Sequence, residues 1–224
     1  DSILNQTYKK FELIIVDDRS IDKTRKIINK YKKKDKRIKV ILNKKNLGAA
    51  ATFNIGVKAA KGEFIVKMDS DDISINNRIE LQLLEFFKRP RLQVLGGNIK
   101  IIKNDRLIDR EVKFPLGEIN INKTIRHSVP VADPTVMMRK SVLKKVNYLR
   151  ENMEAAEDYD LWLRINDLGY EIDNINHTLL HYRHHDQQLS LVKSEQQSIK
   201  SLIAIKLSEF RRVNKINKDI LKKN

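Results

Sequence analysis

Glu63-Phe64-Ile65-Val66-Lys67-Met68-Asp69-Ser70-Asp71-Asp72 is the stretch on which the reading of this chain turns. Its first half is rich in apolar and β-branched residues and predicts a strand, and its last four residues carry three carboxylates. A second unit of the same kind lies upstream, where Glu12-Leu13-Ile14-Ile15-Val16 runs into Asp17-Asp18. Between the two, Asp22 is expected to cap a helix whose apolar side includes Ile27, Ile28 and Tyr31. Residues 37–42 read as another strand, and 48–60 as a small-residue helix stopped near Gly62. Strands alternating with helices predict an α/β fold with a mainly parallel, Rossmann-like sheet flanked by helices. In open sheets of that kind ligands bind beyond the carboxyl ends of the strands, so acidic clusters at two such ends mark a site.

Further along, Ile75, Ile79, Leu83, Phe86 and Phe87 fall near helical spacing, and two strand-like runs, 92–103 and 107–112, flank Asn104-Asp105 as a hairpin. A helix is expected around 119–126, a strand at 135–138, and a short helix at 159–168 ended by Gly169. From about residue 191 onward Gly and Pro disappear. There Ile199, Ile203, Leu207, Phe210, Val213, Ile216 and Ile220 recur at intervals of three or four. The chain thus divides into a domain at 1–190 and a basic amphipathic helical tail at 191–224.

The 224 residues, 41% hydrophobic and 33% charged, suffice for one globular domain with a sizeable core. A net charge of +16 points to an anionic partner: nucleic acid, an acidic membrane surface or a phosphorylated small molecule. Lys23 to Lys45 holds twelve Lys or Arg and one acid, Asp35, but aromatic interleaving is sparse, which favours a solvated face over a nucleic-acid surface. With no cysteine, thiolate metal sites, disulfides and a cysteine nucleophile are excluded, so any metal sits on oxygen or imidazole. Neither G-x-G-x-x-G nor G-x-x-x-x-G-K-S/T occurs, which disfavours dehydrogenase and P-loop readings. No run approaches the eighteen or so apolar residues of a membrane span. The start, Asp1 to Thr7, lacks the basic flank and apolar stretch of a secretory signal and has no initiator Met. The expectation is a cytoplasmic chain with upstream residues missing.

Three places could carry chemistry. Carboxylates one residue apart in Asp69-Ser70-Asp71-Asp72 can bind a divalent cation that in turn holds phosphate oxygens; the alternative is a helix cap with a polar turn. Glu157-Asp158 opens a helix, whose N-terminal amides stabilise an ionised carboxylate able to take a proton; the alternative is an ordinary acidic first turn. Tyr182-Arg183-His184-His185-Asp186-Gln187-Gln188-Leu189-Ser190 could bind phosphate or complete a metal site. Adjacent histidines point in different directions on a strand, so at most one of His184 and His185 is a ligand.

Taken in order, these pieces resemble the family 2 glycosyltransferases of GT-A fold. The resemblance rests on Ser2-Ile3-Leu4-Asn5-Gln6-Thr7-Tyr8, Glu12 through Ser20, Asn46-Leu47-Gly48, Asp69-Ser70-Asp71-Asp72, Pro134-Thr135-Val136-Met137, Glu157 through Arg164, and Tyr182 through Ser190. It covers about residues 1 to 190 and implies an inverting transferase that moves a sugar from a nucleoside diphosphate donor to a hydroxyl acceptor. Polysaccharide, lipid-linked oligosaccharide or glycoprotein assembly is the implied setting. By resemblance, Asp18 contacts the nucleotide base, Asp69 lies beside ribose and diphosphate, Asp71 is the principal ligand of Mn2+ or Mg2+, His185 approaches diphosphate or metal, and Asp158 is the catalytic base.

The sequence departs from the family in two places. The family's first strand is absent, which implies a fragment of a longer chain and leaves a catalytically impaired nucleotide-sugar-binding module as the alternative. Asp133 also stands where many relatives place His. For the tail two fates compete: packing on the domain or on a second copy, or peripheral association with an anionic membrane on its cytoplasmic face. A basic nucleic-acid-binding protein, with the acidic clusters as caps, is the least favoured reading.

Overall fold

The computed structural model describes residues 1–104, 106–185, 188 and 192–214. Leu13–Asp17 (β1) and Ile38–Leu42 (β2) pair in parallel, with Leu13 opposite Ile38 and Asp17 opposite Leu42. Their connection, α1 (Thr24–Lys34), starts where the Asp22 carboxylate accepts the Thr24 N–H at 2.9 Å. It buries Ile28 while Ile27, expected on the same face, is exposed. The lysines of α1 are exposed too, so this part of the basic run is a solvated helix face. The next helix, α2 (Ala49–Ala59), packs on β1, and Gly56 permits the approach: a Cβ there would lie 3.3 Å from Val16 Cγ2.

A second sheet contains β3 (Phe64–Val66), β4 (Ile73–Ser74), β5 (Leu92–Lys103), β6 (Arg106–Val112), β7 (Met137–Arg139) and β8 (Glu171–His184). Its order is β3-β7-β5-β8-β4, with β6 paired to the far half of β5. The α/β layering holds, but the expectation of a mainly parallel sheet is corrected. Among the described residues β1–β2 and β5–β8 are the parallel pairs, whereas β3–β7, β4–β8, β5–β6 and β5–β7 run antiparallel. One cause lies in Asp133–Thr135, expected in part as strand. Pro134, with its fixed φ, opens a 3-10 turn there, and the chain then enters β7 between β3 and β5, antiparallel to both. Among the described residues β1 pairs with β2 alone and β3 with β7 alone. Glu12 ties the two pieces together, its Oε1 accepting the Lys61 and Gly62 N–H groups at 2.6 and 3.2 Å.

Successive strand residues face opposite sides, and the two halves of the core follow from that alternation. Leu95 and Met137 face α3 (Arg78–Lys88), meeting Ile79, Leu83 and Phe86. Val94 and Met138 face the other layer, formed with α2, α4 (Glu118–Thr124), α5 (Lys140–Lys145) and α6 (Glu157–Asp167), where Ile121, Leu143, Trp162 and Leu163 are fully buried or nearly so. Truncating one of these leucines to Ala costs about 2–5 kcal/mol. Two glycines let β5 lie close to its neighbours: a Cβ on Gly96 would sit 2.5 Å from Asn174 Oδ1, and one on Gly97 2.7 Å from Leu179 Cδ1.

The tail forms α7 (Ser194–Val213), which docks on α6. The face that docks is not the apolar stripe. Ala204 enters the core, Ser208 Oγ donates to Asp167 at 2.7 Å, and Arg211 Nε donates to the same carboxylate at 2.9 Å. Ile199, Leu202, Ile203, Phe210 and Val213 remain exposed along the helix. Ile216 and Ile220 lie outside the described residues. No described helix is long and apolar enough to cross a membrane.

Candidate active site

The carboxyl ends of β1 and β3, the head of α6 and the end of β8 define the site. At the end of β1 two adjacent acids do different work. Asp17 is buried, holding Arg25 Nε at 2.6 Å and the Ser20 N–H at 3.3 Å, and is a structural anchor. Asp18 points to the loop that enters α2. It accepts Asn43 Nδ2 at 2.8 Å and the N–H groups of Leu47 and Gly48, each at 2.9 Å in its shorter contact. Gly48 has φ +83°, a conformation glycine adopts without strain, and this turns its N–H toward the carboxylate. Burial pushes the Asp18 carboxyl up, but these donors outweigh it and hold the group below its ordinary range.

The end of β3 is the reverse. Asp69 and Asp71 are each more than two-fifths exposed at the side chain, and Asp69 Oδ1 has Lys67 Nζ 3.9 Å away. Asp71 Oδ2 faces His185 Nε2 at 3.0 Å across 114 residues of sequence, and Arg183 Nε donates to the Asp71 carbonyl at 2.9 Å. Asp72 is buried. Its Oδ1 accepts the Arg183 N–H at 2.8 Å, while Oδ2 has no hydrogen-bond partner. Burial, reinforced by the charges of Asp71 and Asp69, pushes the Asp72 carboxyl up to about 7. This strand end thus has a buried carboxylate oxygen without a donor beside two carboxylates partly open to solvent.

Asp71 and His185 form an oxygen–imidazole pair open to solvent, and this donor set fits Mn2+ or Mg2+. Among the described residues no group of three or more His, Asp or Glu is placed to hold a metal ion together, so such an ion would take the rest of its shell from phosphate oxygens and water. His184 is exposed at the end of β8, and Asp186, Gln187, Leu189 and Ser190 lie outside the described residues.

At the head of α6, Asp158 Oδ1 accepts the Tyr159 N–H at 2.7 Å. Burial pushes this carboxyl up, with Asp69 adding to the effect, while the Lys67 ammonium and the helix N–H groups pull it back toward the charged form. Glu157 is raised likewise, by burial and then by Asp158, and its Oε2 has no partner. Two residues on, Asp160 turns the other way. Fully buried, it pairs with Arg150 and Arg164, each at 2.8 Å, and fastens α6 to the segment before it.

The glycosyl transferase family 2 profile matches residues 1–146. The chain belongs to this family. An O-antigen biosynthesis glycosyltransferase of Escherichia coli, WbnJ, is 36% identical over 191 residues, covering 84% of this chain and 73% of that protein. S. aureus TarS bound to UDP superposes with a TM-score of 0.68 at 22% identity, over 96% of this chain and 62% of the other. The mannosyltransferase PcManGT of Pyrobaculum calidifontis, in complex with GDP-Man and Mn2+, gives 0.65 at 15% identity, over 94% and 59%. These structural likenesses show a GT-A fold. The chain spans 68% and 64% of the length of two curated relatives it matches, and 23% of a third.

In this family 2 chain the motifs seen in the sequence separate into two kinds. Gln6 is fully buried, giving Nε2 to the Ile75 carbonyl at 2.5 Å and accepting the Ile79 N–H at 3.1 Å, so it locks the segment that follows the acidic cluster. Thr135, equally buried, fastens its turn to Gly97. Asp69, Asp71 and His185 instead leave part of their side chains open to solvent, while Asp18 is held by the loop that enters α2 and Asp158 by the first turn of α6. Sequence reading missed two cations. Lys67 pairs with Asp133, whose own role the sequence left open. Arg78 lies fully buried, donating to the Lys67 carbonyl at 2.9 Å and to the Val136 carbonyl at 3.3 Å. A lysine inside an apolar strand was a signal for the first. Arg78, at the start of an amphipathic helix, reads as a surface residue and gave none.

Proposed function

We propose that this protein transfers a sugar from a nucleoside diphosphate donor to a hydroxyl acceptor, with inversion at the anomeric carbon. The observation that carries the reading is the meeting of Asp71 and His185 at 3.0 Å, beside the cluster that includes Asp69 and Asp158. Asp18 and the Leu47–Gly48 backbone it holds shape the end of the cleft assigned to the nucleotide base. Asp69 lies toward ribose and diphosphate, and Asp71 with His185 would hold Mn2+ or Mg2+. Such a cation, when bound, neutralises charge that builds on the departing nucleoside diphosphate. Asp158 takes the proton of the acceptor hydroxyl as that oxygen attacks the anomeric carbon from the face opposite the diphosphate. One displacement of this kind inverts the configuration.

The nucleotide complexes of TarS and PcManGT support a nucleotide-sugar donor, the Mn2+ of PcManGT supports the cation, and the assignment of WbnJ to O-antigen biosynthesis supports a glycan or lipid-linked acceptor. A panel of nucleotide sugars, assayed for Mn2+-dependent release of nucleoside diphosphate, tests the reading. Release from one donor that rises with a hydroxyl acceptor is expected. Saturable binding of a nucleotide sugar with no release would instead favour an impaired binding module.

The exposed apolar residues of α7 favour one finer statement, that this helix attaches the protein peripherally to an anionic membrane at its cytoplasmic face. Co-sedimentation with vesicles containing phosphatidylglycerol, at low and high salt, tests it. Salt-reversible binding weakened by Ile203→Asp with Phe210→Asp is expected, and equal binding by that variant would contradict it.

A further inference from the structure

The side chains of Asp71 and His185 are 43% and 39% exposed, so packing alone does not fix either group and their separation depends on the backbones that carry them. Those backbones leave two strands that pair over a short distance. In the antiparallel ladder of β4 and β8, Ser74 lies opposite Leu180 and Ile73 opposite His181. Two residues farther, the same register would set Asp71 against Arg183. There side chains take the place of the backbone ladder. Asp72 Oδ1 accepts the Arg183 N–H at 2.8 Å, Arg183 Nε donates to the Asp71 carbonyl at 2.9 Å, and Gln188 Nε2 donates to the Arg183 carbonyl at 2.7 Å. The Gln188 N–H returns to the His185 carbonyl at 3.2 Å. Asp72 and Gln188 are both buried. Along the other edge of β8, Ile102 and Lys103 of β5 lie opposite Arg183 and His184.

We propose that Asp72 and Gln188 are positioning residues for the divalent cation, holding the Arg183 backbone, and through it His185, where one ion can bind both His185 and Asp71. The inference rests on the reading of Asp71 and His185 as the pair that takes the ion. The chain of contacts is short. Arg183 offers its N–H and its carbonyl to the two buried side chains and its guanidinium to the Asp71 carbonyl, so a single residue is bonded toward both halves of the pair. His185 follows two residues later, and the Gln188 amide ties its carbonyl back to the same turn. With Arg183 fixed in this way, the two solvent-exposed ligands keep their 3.0 Å approach without help from packing. Groups that orient a metal ligand from behind contribute about tenfold or more to metal affinity. Asp72 does this with one oxygen, since Oδ1 takes the amide while Oδ2 has no partner. The role therefore requires an acceptor at Oδ1 and not a negative charge.

The test is an electron paramagnetic resonance titration of Mn2+ into wild type, Asp71→Asn, Asp72→Ala and Asp72→Asn, each at saturating UDP or, where it binds more tightly, GDP. Asp72→Ala should bind the ion about tenfold more weakly, whereas Asp72→Asn, which keeps the acceptor and loses the charge, should stay within about threefold of wild type. In the metal-free protein, hydrogen exchange at the Arg183 amide, read by NMR, should be at least about tenfold faster in Asp72→Ala than in Asp72→Asn. Gln188→Ala should also weaken Mn2+ binding about tenfold, and it carries the test by itself if Asp72→Ala does not fold. Equal weakening in Asp72→Ala and Asp72→Asn overturns the proposal and has Asp72 acting on the ion through its charge. If Asp71→Asn binds Mn2+ weakly while Asp72→Ala or Gln188→Ala binds it as wild type does, the positioning role of that residue fails and the cation assignment stands. If Asp71→Asn binds Mn2+ as tightly as wild type, the cation assignment fails first and takes the positioning role with it.

Discussion

The two acidic strand ends of this protein are built in opposite ways. At β1, Asp17 and Asp18 are surrounded by donors, and both carboxyls are held below their ordinary range against the effect of burial. At β3, Asp72 is buried with one oxygen unpartnered and is pushed up to about 7, while Asp69 and Asp71 stand open to solvent. The first arrangement is complete in the protein alone and stabilises a loop and a helix start. The second leaves Asp72 Oδ2 without a partner and two carboxylates partly exposed, and it is here that we propose a cation and a diphosphate bind. Carboxylates of the same type, at equivalent strand ends, are thus satisfied by protein donors in one case and left partly open in the other, and it is the open end that we propose captures the ligand.

Substitutions at each end should separate these roles. The largest effect is expected from Asp71→Asn, which removes the charged half of the Asp71–His185 pair. Metal-dependent turnover should fall about a thousandfold, with the melting temperature little changed, because loss of several kcal/mol of leaving-group stabilisation has that consequence. Normal turnover in this variant would erase the contrast. Next comes Asp158→Asn, where turnover should drop about a hundredfold while donor affinity stays near wild type, as measured by steady-state kinetics and equilibrium titration. A parallel loss of donor binding would move Asp158 into the nucleotide site. The smallest effect belongs to the β1 end. Asp18→Ala leaves the Leu47 and Gly48 N–H groups without their acceptor and the Asn43 amide with Thr52 Oγ1 alone, and should lower stability by about 1–2 kcal/mol in urea unfolding. Donor KM should rise about tenfold with kcat nearly unchanged. A kcat loss as large as that of Asp71→Asn would show the two ends doing the same work.

Much of this was legible in the sequence, for identifiable reasons. Strands β1, β2 and β3, helices α2, α3 and α6, and the β5–β6 hairpin carry strong periodicity or turn signals, and all appear close to their expected places. Strand direction was not legible, since the apolar runs of β5, β7 and β8 look alike whichever way they pair. The packed face of α7 was missed for a related reason. The eye follows Ile199, Ile203, Phe210 and Val213, whereas docking uses Ala204, Ser208 and Arg211, whose partner Asp167 reads as an ordinary residue near a helix end. In the site, Asp71 was read as the principal metal ligand and His185 as approaching diphosphate or metal, and the two side chains lie 3.0 Å apart. The ion pair of Lys67 with Asp133 escaped notice because its halves, 66 residues apart, carry no motif of their own.

We assign the divalent cation to the β3 end and not to the β1 end. Electron paramagnetic resonance titration of Mn2+ into the protein with saturating UDP or GDP tests this directly, because free and bound Mn2+ give distinguishable signals. Wild type and Asp18→Ala, each at saturating nucleotide, should bind one ion with similar affinity, whereas Asp71→Asn and His185→Ala should each bind it at least about tenfold more weakly. Equal Mn2+ affinity in all four proteins would contradict the assignment of Asp71 and His185 to the cation.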